Sequence, residues 1–318
     1  MATKEFTEEE IESLVKGLES LQGGSMTAAA LVGCGEKAIP PLRRFLLEGR
    51  PRGIFQPRQL AVETLAQLGA KEVLIEYLEN SPEIEDPVVR FGENAVRSTA
   101  ARELRRWPTE DVFTCLMRVG LDHLLPGIVE TLGEFRRTEA MPYLLWALGD
   151  GVCRSAAETA IRKFEEEARR FLMDAACRPN PSREDENPSS LQRRRWSLRI
   201  LSDLQVTAED WKKMRKCLEE DDPEMVITCA HIALEIAPRP EQWHAVRRLI
   251  DMLPRVDWFL RADVRAALLE HFDISREAVE DEITRRTAIS EKDGVFDVVL
   301  RLLINIRIQA LESGVARR

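Results

Sequence analysis

Three segments combine tryptophan with basic side chains, and binding chemistry is most concentrated there. Arg102, Arg105 and Arg106 precede Trp107, with Asp111 four residues further on. Arg193, Arg194 and Arg195 precede Trp196, with Arg199 and Asp203 beyond it. Trp211 is followed by Lys212, Lys213, Arg215 and Lys216. Cationic groups brought to one face with aromatic rings between them would make a surface for phosphate-bearing partners. The charge balance argues the other way. Residues 141–200 hold eleven Lys/Arg against nine Asp/Glu, and the whole chain carries a net charge of −9. That leaves little of the positive field on which phosphate binding relies. Solvated helix faces, with Trp as packing, is the simpler account.

Other chemistries find less support. The four histidines (His123, His231, His244, His271) never pair with one another at i, i+4, and none stands beside a cysteine at ligand spacing. His231, flanked by Cys229, Ala230 and Ile232, reads as a packed or solvent-edge side chain. Glycine-rich phosphate cradles and the GxSxG elbow are missing. Cys217, after Arg215 and Lys216, comes nearest to an activated thiol, but a buried helix cysteine explains it as well. No catalytic residue, metal or cofactor is assigned, and the chain reads as non-enzymatic.

The elements that would position these side chains are helices. From 121 to 177 apolar residues recur three and four apart through four helix-length segments, broken at Arg136, Arg137 and Thr138, at Gly149, Asp150 and Gly151, and at 165–167. With two Tyr in 318 residues and no Val/Thr/Tyr alternation, no sheet is expected. A hydrophobic content of 44% suffices for a core, while the length favours several domains or a solenoid over one compact core. Six widely spaced cysteines without a CxxC pair read as reduced thiols. The N-terminus lacks a charged-then-apolar signal segment, and no apolar run reaches eighteen residues. The expectation is a cytoplasmic protein without membrane association.

In chain order, Thr7 followed by Glu8, Glu9 and Glu10 predicts a helix start, with the helix running to about 21. Residues 49–58 form a Gly/Pro/Arg loop that carries Ile54 and Phe55, which either tuck under their own helices or meet a partner. A long helix is expected over 88–107, and a polar loop over 178–190, where Pro, Asn and Ser oppose helix formation. Five helices follow over 191–204, 207–220, 223–236, 240–253 and 257–272, then two more over 275–288 and 295–311. The last is apolar around most of its circumference. It reads as a cap on the array, or as a surface for self-association.

One apolar position per first helix (Leu46, Leu78, Leu116, Leu148, Leu218, Ile250) gives gaps of 32, 38, 32, 70 and 32, the 70 spanning two units. The second helices share a column in which Arg is followed at i+3 by a small or branched residue: Arg58 and Ala61, Arg97 and Ala100, Arg154 and Ala157, Arg261 and Val264. Small residues allow close helix approach, and the Arg lies within reach of a neighbouring acidic turn. A two-helix period in the thirties points to an α-solenoid. VRSTAARELRRW (96–107), ALGDGVCRSAAETAI (147–161) and LEEDDPEMVITCAHIAL (218–234) resemble HEAT repeats, in particular the short HEAT-like type of bilin-lyase subunits. In that type an Asp-rich turn precedes a Val-Arg pair, two small residues and Ala-Leu. Val-Arg itself stands at Val96-Arg97, whereas Cys153 replaces Val in the second segment.

The resemblance implies an all-α, right-handed α-α superhelix, a HEAT-like solenoid with a capping C-terminal helical pair. It would form one domain, with an N-terminal helix in 1–25, repeats over 26–272 and capping helices over 273–318. It implies a scaffold that binds a protein or peptide partner. Alkylpurine DNA glycosylases, which are similar HEAT-like proteins, set aromatic residues and an acid beside an alkylated base, with basic residues on phosphates. Trp107 with Asp111, or Trp196 with Asp203, would imitate that arrangement. A lyase or lyase-accessory role is a third implication. The expected concave-face residues are Arg102, Arg106, Trp107, Asp111, Arg194, Arg195, Trp196, Arg199 and Asp203, with Ile54 and Phe55 as a partner surface.

Overall fold

The computed structural model describes residues 6–20, 23–51, 53–80, 84–178, 186–293 and 296–313. Among them 79% are helical, without a strand. Two compact units divide the chain at 164/165.

Among the described residues the first unit holds ten α-helices: α1 (Glu8–Gly17), α2 (Gly24–Gly33), α3 (Ile39–Leu47), α4 (Gln56–Gln67), α5 (Lys71–Glu79), α6 (Pro87–Leu104), α7 (Glu110–Asp122), α8 (Pro126–Phe135), α9 (Met141–Leu148) and α10 (Arg154–Arg162). Odd-numbered helices pack beside odd-numbered ones and even beside even, so two rows face each other. The core lies between the rows. Ala61, Val62 and Leu65 of α4, Val96, Ala100 and Ala101 of α6, and Ile128 and Leu132 of α8 are all fully buried. Burying a Leu, Ile or Val contributes roughly 1.5–3 kcal/mol, so this seam holds α4, α6 and α8 together.

Small residues set its spacing. A Cβ on Gly127 of α8 would stand 1.9 Å from the Ser98 carbonyl oxygen of α6, and one on Gly133 would stand 2.4 Å from the Ala160 Cβ of α10. The Arg column has a specific task in this packing. Arg58, on the second helix of a pair, donates to the Leu46 carbonyl at 2.9 Å and the Gly49 carbonyl at 3.1 Å, capping the end of α3.

The second unit holds α11 (Arg169–Cys177), α12 (Pro188–Ser202), α13 (Ala208–Met214), α14 (Pro223–Ile236), α15 (Arg239–Met252), α16 (Trp258–Glu270), α17 (Phe272–Asp293) and α18 (Val298–Glu312). Here α12, α14, α16 and α18 form one row. The Arg device recurs: Arg194 donates to the Ala176 carbonyl at 2.9 Å and Arg261 to the Leu253 carbonyl at 3.1 Å. The last helix packs on α16 and α17 through Val299, Leu303, Ile306 and Ala310.

Start signals are accurate. Thr7 forms a capping box with Glu10, and Thr207 one with Asp210. Ends are less so. The first helix stops at Gly17, short of the expected 21. The polar loop is shorter than expected, because Asn187 accepts from the Ser190 N–H and Pro188 takes the first helical position, where its missing N–H costs nothing. Residues 179–185 of that loop lie outside the described ones, as do 21–22 and Arg52 of the expected loop at 49–58. Among the described residues no helix is long and apolar enough to cross a membrane.

Candidate functional site

Three neighbouring helices of the second unit, α12, α14 and α16, shape a hollow of about 270 Å³. Trp196 and Arg199 line it from α12, Glu224 and His231 from α14, and Leu260 and Asp263 from α16. The Arg199 guanidinium lies 5.0 Å from the Trp196 ring centroid, within cation–π range. Burial lowers the His231 pKa, with Asp263 and the other nearby carboxylates opposing the shift. The imidazole is therefore neutral at pH 7.

One turn along α14 from His231 lies Glu235, and across from it the end of α16 supplies Glu270 and His271. One donor atom from each of Glu235, Glu270 and His271 lies within 4.8 Å of the others. His271 Nε2 stands 3.5 Å from Glu235 Oε1. Histidine pairing in the sequence does not mark this group, because it joins one histidine to two glutamates. A His231-x-x-x-Glu235 spacing on one helix and the adjacent Glu270-His271 were the available signals.

The cations expected to face a partner are mostly engaged with carboxylates. Arg194 is 2% exposed, so it presents no surface. It donates to Glu186 at 2.8 Å and also pairs with Glu220. Arg195 grips Asp222 through Nε at 3.0 Å and Glu224 through Nη1 at 2.9 Å. The Asp222 hydrogen bond foremost raises its pKa. In the first unit Arg102 holds Glu130 in a two-point contact at 2.5 and 3.2 Å, and Arg106 pairs with Glu103 at 2.7 Å. Arg102 thereby joins α6 to α8 and Arg195 joins α12 to the start of α14, whereas Arg106 pairs locally at the end of α6.

Of the two tryptophan–aspartate pairs, Asp111 is engaged by a lysine and Asp203 does not line the hollow beside Trp196. Trp107 is half-buried just past α6. Asp111 starts α7, and its carboxylate accepts from Lys71 Nζ at 2.7 Å. That hydrogen bond first, and one from Thr109 next, hold Asp111 down to about 2. Asp203 caps the end of α12 and is not among the residues lining the Trp196 hollow; Asp263 takes that place. Trp211 is fully buried, with its indole N–H donated to Glu241.

Of the loop pair, Ile54 is 60% exposed, while the half-buried Phe55 packs against Gly92 of α6, which leaves the ring about 3 Å from where a Cβ would stand. Cys217 is no nucleophile: the Cys177 hydrogen bond favours its thiolate, but Cys229 and burial outweigh it and push the thiol up to about 12. Sequence reasoning also passed over the Trp258 and Phe259 pair at the start of α16, stacked at 3.6 Å and 68% and 62% exposed. Compared with known families and curated proteins, the sequence matches no family model and no curated protein.

Proposed function

We propose that this protein is a non-catalytic scaffold, a right-handed α-solenoid of the HEAT type whose surface receives a protein or peptide partner. The architectural part rests on helices alternating between two rows in the first unit, on the row of α12, α14, α16 and α18 in the second, and on Arg58, Arg194 and Arg261 each capping the end of the preceding helix. One observation carries the functional part. Of the arginines that would have met phosphates, Arg102, Arg106 and Arg195 are paired with Glu130, Glu103, Asp222 and Glu224, and Arg194 is buried with Glu186 and Glu220, which leaves Arg199 exposed over Trp196. A protein partner needs no such free cations, and exposed aromatic groups such as Trp258 and Phe259 supply apolar area for one.

A DNA-lesion-binding role is the second reading, favoured by the Trp196 hollow with an acid, Asp263, on its wall. Fluorescence anisotropy against a short DNA duplex at about 50 and 200 mM salt separates the two. The scaffold reading expects no binding at either salt. Binding tighter than about 1 μM that falls steeply with salt would replace it with the nucleic-acid reading. Affinity capture then tests the surface. A partner retained by the native protein and lost by the double variant Trp258→Ser with Phe259→Ser supports the scaffold.

A further inference from the structure

We propose that Glu235, Glu270 and His271 form a binding site for a divalent transition-metal ion of the zinc class, with His231 beside it on the same helix face. Three features point to a cation, and none depends on the scaffold reading.

The first is the donor set. One imidazole and two carboxylates suit zinc, cobalt or nickel better than calcium or magnesium, which take oxygen alone. Metal–ligand distances near 2.0–2.2 Å place neighbouring donors of a tetrahedral ion about 3.3 Å apart. His271 Nε2 and Glu235 Oε1 are already 3.5 Å apart, and all three donors lie within 4.8 Å of one another. Both glutamates are exposed, so side-chain rotation alone closes the remaining gap.

The second is uncompensated charge. Glu235 faces the His271 ring at 3.5 Å, and among the described residues neither glutamate is paired with Lys or Arg. Asp263 lines the adjoining hollow together with His231. Glu93, Glu130 and Asp222, by contrast, each meet an arginine. Here two carboxylates meet with a histidine in place of the arginine. Carboxylates gathered this closely suit a bound cation.

The third is the backbone. Glu235 lies in the last turn of α14, Glu270 is the last residue of α16, and His271 is its C-cap. Two helix C-terminal ends, each with negative partial charge, therefore converge on one point and favour a positive ion there. Glu270 also borders an open hollow with Gln309, Glu312 and Ser313, which gives solvent a path to the site.

The test is titration of the chelator-stripped full chain with Co²⁺, followed by visible absorption, with Zn²⁺ competition and a thermal melt in parallel. One equivalent of Co²⁺ is expected, giving d–d bands without the thiolate charge-transfer absorption that ligation by Cys177 or Cys217 would add. His271→Ala, Glu235→Gln and Glu270→Gln should each weaken binding tenfold or more and abolish the metal-induced rise in Tm. His244→Ala, which removes an exposed histidine paired with Glu219 elsewhere in this unit, should change neither. Circular dichroism of each variant without metal controls for folding. Failure of Co²⁺ to bind the native chain would overturn the site. So would thiolate bands, or equal binding by the three ligand variants.

Discussion

The Arg58 guanidinium and the Glu93 carboxylate meet face to face inside the first unit, Nε to Oε2 at 2.9 Å and Nη2 to Oε1 at 2.8 Å. Their side chains are 7% and 1% exposed. Tyr77 donates its hydroxyl to the same carboxylate, and Arg58 still reaches the carbonyls of Leu46 and Gly49. One buried charge pair thus ties α3, α4, α5 and α6 together. Burial lowers the Arg58 pKa, but the Glu93 hydrogen bond and charge outweigh it and hold the guanidinium protonated.

Removing one partner of such a pair leaves the other charged and buried, which costs about 3–5 kcal/mol. Glu93→Gln should therefore lower the Tm of the first unit by about 10 °C. Tyr77→Phe should cost about 1 kcal/mol, the net value of one hydrogen bond. Differential scanning calorimetry checks both. A Glu93→Gln shift of 2 °C or less would mean that the carboxylate is dispensable.

Arg194 and Arg199 stand on the same helix with opposite environments. Arg194 is buried and serves Ala176, Glu186 and Glu220, whereas Arg199 is exposed above Trp196. A lysine has one charged nitrogen and cannot span three acceptors, so Arg194→Lys should destabilise the second unit by about 2–4 kcal/mol. Arg199→Ala should stay within about 0.5 kcal/mol. Urea unfolding of the two variants compares them directly.

Two glycines should respond to alanine in opposite directions. At Gly127 a Cβ would meet the Ser98 backbone at 1.9 Å, so α6 and α8 must separate and stability should drop by about 1–3 kcal/mol. Gly33, in the last turn of α2, has open space around it. Gly33→Ala should raise stability by about 0.5–1 kcal/mol through helix propensity.

Acid sensitivity should include a contribution from Lys71 and Asp111. Folding lowers the Asp111 pKa to about 2, from about 3.9 in an unfolded chain. A depressed carboxylate stabilises the fold above its unfolded pKa and loses that contribution as pH falls towards the folded value. Asp111→Asn should therefore flatten the stability profile between about pH 4 and 2 while leaving its shape near neutrality unchanged. Melting curves at stepped pH provide the comparison.

Thiol reactivity should follow burial. Burial, reinforced by Glu79 and by Asp150 respectively, pushes Cys115 and Cys153 up to about 12. Both should resist iodoacetamide at pH 8 in the native state and react fully in denaturant. Mass mapping of the labelled peptides reads this out. Fast native labelling of Cys115 would contradict the buried position.

The sequence determined the helices themselves. Apolar spacing of three and four, Thr7 and Thr207 with their acids at N3, and the two-helix period follow from local propensity and from the side-chain periodicity of a helix, which a single chain carries in full. It also placed the Ala column that became the seam between α4, α6 and α8. Tertiary structure decided what the charged side chains do. Arg102, Arg194 and Arg195 look alike on paper, yet each found a carboxylate 26 to 29 residues away, on another helix or beside one. Glu235 and His271 are likewise brought together from two helices. Nothing local distinguishes a phosphate-seeking arginine from one that caps a neighbouring helix. That distinction is made by which helix ends the packing brings within 3 Å.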